Sequence, residues 1–287
     1  MTTGMIEGAF TATMEDPDDP QMFERNRIHT TEGAKEYGFK GAFVGGVTLY
    51  AWCVPTIVEA LGDAWLDTGW VNLRFRRPVY PGTQIQVQVT PQDNALPDRA
   101  GAHRFEAVND AEHEAAIVGE VGLGHAPWLG ELRETPFSPP VARAEGSERP
   151  YLTLADAPVG QPLRSYRYGR HTPPPPGATG PMAEITALDS PGGPVLHPAV
   201  LARQMISFLA WSYEYGHPAI HVSSHIQHFA RIPADQDVVL CGTLVDAYER
   251  NGHHQAVTDA DLYSLDGQRL ARLRHVNIFK VRKASGA

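Results

Sequence analysis

Residues 46–61 read GVTLYAWCVPTIVEAL, and the fold follows from what this run and its neighbours can do. Its apolar positions are too dense for a surface helix, which carries one apolar stripe, so the run predicts a helix buried on most sides. Pro55 lies inside it; because proline cannot donate to the preceding turn, a kink or an early end is expected there. After Gly62 the period changes from helical to two. Val71-Asn72-Leu73-Arg74-Phe75-Arg76 alternates, Pro78 to Gly82 breaks the pattern, and Gln84-Ile85-Gln86-Val87-Gln88-Val89 alternates again. Two further strands are expected at about 103–109 and 114–123. A buried helix followed by an antiparallel meander is an α+β layout in which the sheet can wrap the helix.

Upstream of the helix, a short strand is expected at about 8–14, then the acidic turn EDPDDP, a helical segment over 31–37, and glycine punctuation at Gly38 and Gly41. Between them stands Glu24-Arg25-Asn26-Arg27-Ile28-His29, an acid and an imidazole five residues apart. Such a pair can exchange protons with a substrate. Gly45 and Gly46 open the helix, where free backbone N–H groups and the helix dipole can hold a developing oxyanion; close helix-to-sheet packing also favours glycine there. Asn26 can orient the acid or a water, although asparagine is also common in turns.

Composition bounds the function classes. The chain has 287 residues, so two domains of ordinary size are the prior, and 42% hydrophobic with 20% charged residues is globular. A formal net charge of -9 argues against an extended nucleic-acid surface. Cys53 and Cys241 both sit in apolar segments, so neither a disulfide framework nor a cysteine zinc site is expected. The N-terminal stretch lacks a basic region followed by an apolar one, and no apolar run approaches the roughly 20 residues of a membrane span. The expectation is a cytoplasmic protein with no membrane contact.

The second half repeats the plan. His197-Pro198 leads into AVLARQMISFLAWSYEY, followed by strand-like IHVSSHIQHFARI, VVLCGTLVDAYER, QAVTDADLYS and RLARLRHVNIFKV. Laying Leu73 on Ile226 also superposes Gly46 on Ala199 and Ile85 on Val238, an internal duplication of one α+β unit. Aperiodic, Pro-, Glu- and Arg-rich sequence separates the copies. The expected organisation is a first unit over 1–130, a linker over 131–150 and a second unit over 151–287, with the Pro-rich 171–182 as a loop of the latter.

Taken together these features resemble the MaoC-like acyl dehydratases and (R)-specific enoyl-CoA hydratases of the hotdog superfamily. That family's motif is Asp, any residue, Asn-Pro, any residue, His, with His-Gly at the helix start. Here Glu24, Asn26, Arg27 and His29 occupy those positions, with Gly45-Gly46 for His-Gly, and LRFRRPVYPGTQIQV resembles the strand and turn that follow. Glu24 stands for the family's Asp and Arg27 for its Pro. The resemblance covers most of the chain in plan and residues 24–89 in motif. It implies a double hotdog with two long central helices, each wrapped by an antiparallel sheet. It also implies Glu24 and His29 as catalytic residues, Gly45 and Gly46 at the oxyanion, and reversible addition of water to a 2-enoyl-CoA or enoyl-carrier-protein thioester without metal or other cofactor. Thioester hydrolysis and acyl binding without turnover are the alternatives. A homodimer is compatible with all of these.

In the second half no acid-and-His pair precedes His197, so that half is expected to shape the acyl pocket. Arg74, Arg76 and Arg77 are candidate contacts for carrier phosphates, with Arg74 and Arg76 on one strand face and Arg77 on the other; a solvated strand face is the plainer reading. His197 is either a pocket residue or a helix-entry residue before Pro198. In an extended strand His221 and His225 share a face about 13 Å apart and His228 faces away, so they do not suit one metal ion. His253 and His254 follow Asn251-Gly252, a hairpin signal, and are expected in a solvated turn.

Overall fold

The computed structural model describes residues 4–14, 26–92, 101–169, 185–216 and 218–282. Glu24 and the Pro-rich 171–182 lie outside these. The first half holds strand β1 (Ile6–Thr11), a 3-10 turn (Arg27–His29), α1 (Thr31–Glu36), α2 (Gly46–Leu61), the short α3 (Trp65–Thr68), and strands β2 (Gly69–Phe75), β3 (Gln84–Pro91), β4 (His103–Asn109) and β5 (Glu114–Leu123). The second holds β6 (Tyr166–Tyr168), β7 (Ala187–Leu188), β8 (Val195–Leu196), α4 (Pro198–Ser212), β9 (Ile220–His228), β10 (Val238–Arg250), β11 (His253–Ser264) and β12 (Arg269–Lys280).

Ten of the strands form one sheet in the order β1-β3-β4-β5-β2-β9-β12-β11-β10-β6, so the second half mirrors the first about the β2–β9 pair. That pair is antiparallel, with Asn72 opposite His225 and Arg74 opposite Ser223. The expectation of a separate sheet around each helix is therefore corrected: the backbone ladder runs unbroken across both halves. The helices α2 and α4, of 16 and 15 residues, pack against each other and against the sheet. One core results, in which Val71, Leu73, Val87 and Phe105 of the first half join Ile226, Leu240, Leu262 and Leu273 of the second.

Helix α2 runs through Pro55 to Leu61 without ending. Proline there removes one backbone bond at a cost of about 3 kcal/mol, but Val54, Thr56 and Ile57 on either side are buried, and burial of a large apolar side chain is worth about 1.5–3 kcal/mol each. Packing outweighs the local defect. Among the described residues no helix is long and apolar enough to cross a membrane.

Residues 131–144 form a strap over the outer face of the second half. Two carboxylates on β11 hold it: Asp259 accepts from the Arg133 N–H at 2.7 Å, and Asp261 from the Thr135 N–H at 2.8 Å. Both are fully buried, which is tolerable because Asp259 also pairs with Arg274 (2.6 and 2.7 Å) and Asp261 with Arg272 (2.9 Å). Tyr263 donates to the Thr135 carbonyl, and Trp211 Nε1–H to that of Val141. Replacing Asp259 by Asn keeps the shape but loses the charge and one acceptor. We expect Asp259→Asn to lower stability by about 2 kcal/mol, read as a fall in the urea midpoint at constant slope.

Candidate functional site

Asn26 is itself extended (φ -155°) and enters the 3-10 turn, and Thr30 then caps α1 by accepting from the Gly33 N–H at 3.1 Å. Gly33 is required there: a Cβ would lie 2.2 Å from the Arg27 carbonyl oxygen. Arg27, at the position where the family motif has proline, donates to Glu36 at 2.6 Å and so ties the turn to the far end of α1. The turn is thus fixed at both ends, with His29 between the anchors.

His29 Nδ1 lies 2.8 Å from the carbonyl oxygen of Phe43. A carbonyl only accepts, so the neutral ring carries its proton on Nδ1 and keeps Nε2 as the basic nitrogen. The Phe43 ring also meets the imidazole edge-on at 5.9 Å. Asn26 Nδ2 donates to the Ala219 carbonyl at 2.8 Å, reaching across to the segment that enters β9, while its buried Oδ1 has no partner.

The two long helices begin differently. No side chain caps α2, whose N-cap is Gly45, and its first backbone bond runs from Leu49 N–H to the Gly45 carbonyl. The N–H groups of its first turn are left for a ligand. Gly46 must lack a side chain, since a Cβ would stand 2.9–3.1 Å from the Phe75 ring. In α4 the same place is closed: His197 Nδ1 accepts from the Ala199 N–H at 3.1 Å, and Pro198 has no N–H to offer. Burial and the nearby Arg203 charge lower the His197 pKa to about 4, which keeps the cap neutral.

A cavity of about 1240 Å³ brings these parts together. Asn26, His29, Gly45, Gly46, Arg74, Arg76 and Arg77 all line it; His197 does not. The predicted split of Arg76 and Arg77 between faces does not operate, because β2 ends at Phe75 and the chain beyond it has lost strand alternation. Arg77 is paired with Glu114 at 3.0 Å. Arg143 of the strap, Arg203 of α4 and Arg250 of the β10–β11 hairpin join the lining, which has no Asp or Glu among the described residues. In a chain of net charge -9 this local excess of cations selects for an anionic ligand. The three second-half and strap arginines had no local signal in the sequence, since only the tertiary fold gathers them.

The histidines of β9 also differ from expectation. A bulge between the pairs Ser223–Val276 and His221–Asn277 leaves Val222 unpaired and shifts the alternation by one. His221 therefore lies with Ser224, 2.8 Å away, and His228 packs on Trp65 of the main core; His225 faces the other side against Trp128. His253, expected in a solvated turn, follows a hairpin with φ of 54° and 79° at Asn251 and Gly252 and lines the cavity.

We expect Gly46→Ala to displace Phe75, to lower stability by about 1–2 kcal/mol, and to weaken binding of any ligand seated at the helix start. A melting curve and a ligand titration check the two effects.

Neither protein-family profiles nor curated sequences match the chain. Solved structures do. A Mycobacterium tuberculosis protein described as a double hotdog fold aligns over 97% of this chain and 96% of its own at 11% identity, with a TM-score of 0.59. GphF Dehydratase 1 aligns over 98% and 96% at 13% identity, TM-score 0.55. A Lactobacillus plantarum protein provisionally named an oleoyl thioesterase aligns over 98% of both chains at 10% identity, TM-score 0.51. At these identities the likeness establishes the fold, which is a hotdog arrangement in duplicate.

Proposed function

We propose that the protein is an acyl-thioester enzyme of the dehydratase and hydratase type, adding water reversibly to a 2-enoyl-CoA or enoyl-carrier-protein thioester. One observation carries this reading: a histidine with its tautomer fixed by the Phe43 carbonyl lines the same cavity as an uncapped helix start. His29 Nε2 takes a proton from water in the cavity, which Asn26 is assigned to orient, and the water oxygen bonds to the β-carbon. The electron pair of the C=C bond moves onto the thioester oxygen, which the N–H groups of the α2 first turn stabilise. The enolate then collapses, and its α-carbon takes a proton from the acid assigned to Glu24, five residues before His29 in sequence. The carrier's phosphates meet Arg74 and Arg76. In this proposal the chain is divided into units over 1–130 and 151–287, joined by residues 131–150.

A thioester hydrolase is the second reading, because a basic imidazole beside an oxyanion site also serves attack of water on the thioester carbon. Incubation with crotonyl-CoA separates the two. Loss of enoyl absorbance without free thiol supports hydration, whereas release of thiol from an acyl-CoA supports hydrolysis. Neither signal, at enzyme concentrations where substrate binds, leaves an acyl-binding protein.

A further inference from the structure

Beside the large cavity the chain builds a second, smaller pocket of about 220 Å³, whose lining shares Arg74 and Gln255 with it. Strand pairing says which way this pocket faces. Arg74 lies opposite Ser223 and Ser223 opposite Val276, while Leu73, Ile226 and Leu273, each an odd number of residues away on the same strands, are in the core. Side chains alternate along a strand, so Arg74, Ser223 and Val276 stand on the face of the sheet turned away from α2 and α4. The β10–β11 hairpin supplies the other wall. Tyr248 is opposite Gln255 and Arg250 opposite His253, so all four project from one face of the hairpin, and Tyr248 donates to Gln255 Oε1 at 3.2 Å. Tyr248 and Gln255 line the small pocket, Arg250 and His253 the cavity next to it. Positive φ at both Asn251 and Gly252 makes the connection a tight two-residue turn, which fixes the backbone at Arg250. Arg77 is paired with Glu114, and Glu249 turns to His254; among the described residues neither Arg74 nor Arg250 has a carboxylate partner.

We propose that the small pocket is a nucleotide site, and that the substrate is a CoA thioester and not one carried on a protein. This rests on the acyl-thioester reading of the cavity. The assignment follows the order of groups along CoA. The diphosphate lies at Arg74, which belongs to both linings; the adenine enters the small pocket against the half-buried Tyr248; the 3′-phosphate meets Arg250. With its O–H engaged by Gln255, Tyr248 offers the base a ring face, and Asn72, Ser223 and the Gln255 amide offer donors and acceptors to its edge. A phosphate monoester carries nearly two charges at neutral pH, which an arginine without a carboxylate partner answers with a bidentate bond. A phosphopantetheine arm on a carrier protein ends at one phosphodiester. It reaches Arg74 and has nothing to place in the pocket or against Arg250. The cations are also confined to the lining, with Glu114, Glu145 and Glu249 exposed beside them, which suits an anion that enters over a protein that covers the rim.

The test is titration calorimetry of the full chain with three ketone analogues of octanoyl-CoA, in which CH2 replaces the thioester sulfur: the whole CoA analogue, the same without its 3′-phosphate, and the same cut back to phosphopantetheine. The wild type is expected to bind the second about ten- to a hundredfold more weakly than the first, the worth of one charge-assisted contact, and the third about tenfold more weakly again, the worth of one stacked base. Arg250→Ala is expected to abolish the first step while leaving affinity for the analogue without 3′-phosphate within about twofold, and Arg250→Lys, which keeps the charge, to restore part of it. Tyr248→Ala is expected to abolish most of the second step while leaving the phosphopantetheine analogue within about twofold. Tyr248→Leu, of similar bulk but without the aromatic face, gives the same result and serves where the alanine variant fails to fold. Equal binding of all three analogues by the wild type, a step that survives its own variant, or tighter binding of the phosphopantetheine analogue when it is attached to an acyl carrier protein than of the CoA analogue overturns the proposal and leaves the acyl-thioester reading intact. Binding of none of them overturns both.

Discussion

The urea midpoint of this protein is expected to fall steeply as the pH is lowered from 7.5 to 5, far more than surface charge alone would cause. Burial and the Arg203 charge depress His197 to about 4; burial and Arg274 depress His225 to about 4, against an opposing pull from Asp259; burial depresses His228 to about 4, against Asp67. His221 and His275, facing each other, are lowered as well. Each folded-state pKa lies below the unfolded value of about 6.5, so between pH 6.5 and 4 the unfolded chain binds protons that the native state refuses. Stability is then lost as pH falls. At pH 5 the cost is about 2 kcal/mol per histidine, and three of them together approach the whole stability of an ordinary domain, about 5–15 kcal/mol.

Asp261 works the other way, because burial raises its pKa, but a carboxylate titrates lower in pH and offsets only the acid end of the window. Equal midpoints at pH 7.5 and 5, at unchanged slope, would show that these histidines are not held neutral. His228→Gln removes one titrating group and is expected to flatten the dependence by about one proton. His197 adds a geometric reason to the electrostatic one: its Nδ1 lone pair is occupied by the Ala199 N–H, so protonation there breaks the α4 cap.

Much of this fold was legible because each element announces its period. The strands at 103–109 and 114–123 lie where alternation placed them, and the overlay of Leu73 on Ile226 brings β2 onto β9, α2 onto α4 and β3 onto β10. What local pattern does not carry is how the copies meet. The β2–β9 ladder merges two sheets into one, and nothing in either strand says that its edge is paired. A single unpaired residue, Val222, reversed the facing of His221, since a period-two argument fails completely on one insertion. The aperiodic linker concealed its purpose too, because the carboxylates that hold it belong to β11, more than a hundred residues away.

At the site, the motif stretch placed Asn26 and His29 on the cavity beside Gly45 and Gly46, whereas His197 closes the start of α4 instead of reaching a ligand. That difference has a chemical reading. A helix start whose N–H groups are consumed by a cap has nothing left for an oxyanion, so the second copy can shape a pocket but not polarise a carbonyl. His221 was weighed in the sequence only as a metal ligand, and its contact with His275 through Ser224 depends on strand pairing that no local signal encodes.

His29→Ala is expected to lower kcat/KM for hydration of crotonyl-CoA by about 10²–10⁴-fold, the range for losing a positioned general base. In the proposed mechanism the loss falls on kcat, because His29 is assigned to water and the carrier phosphates to Arg74 and Arg76. Arg76→Ala supplies the contrast: an exposed arginine at the phosphates should raise KM severalfold and leave kcat nearly unchanged. His29→Gln is the sharper variant. Its amide nitrogen cannot take a proton, so a glutamine that fills the same space should be as inactive as alanine if the imidazole is the base. Activity retained in both variants removes His29 from the chemistry and returns the site to one of binding alone. Activity retained in glutamine but lost in alanine would mean that His29 only positions water, and the base would then have to be sought in Glu24.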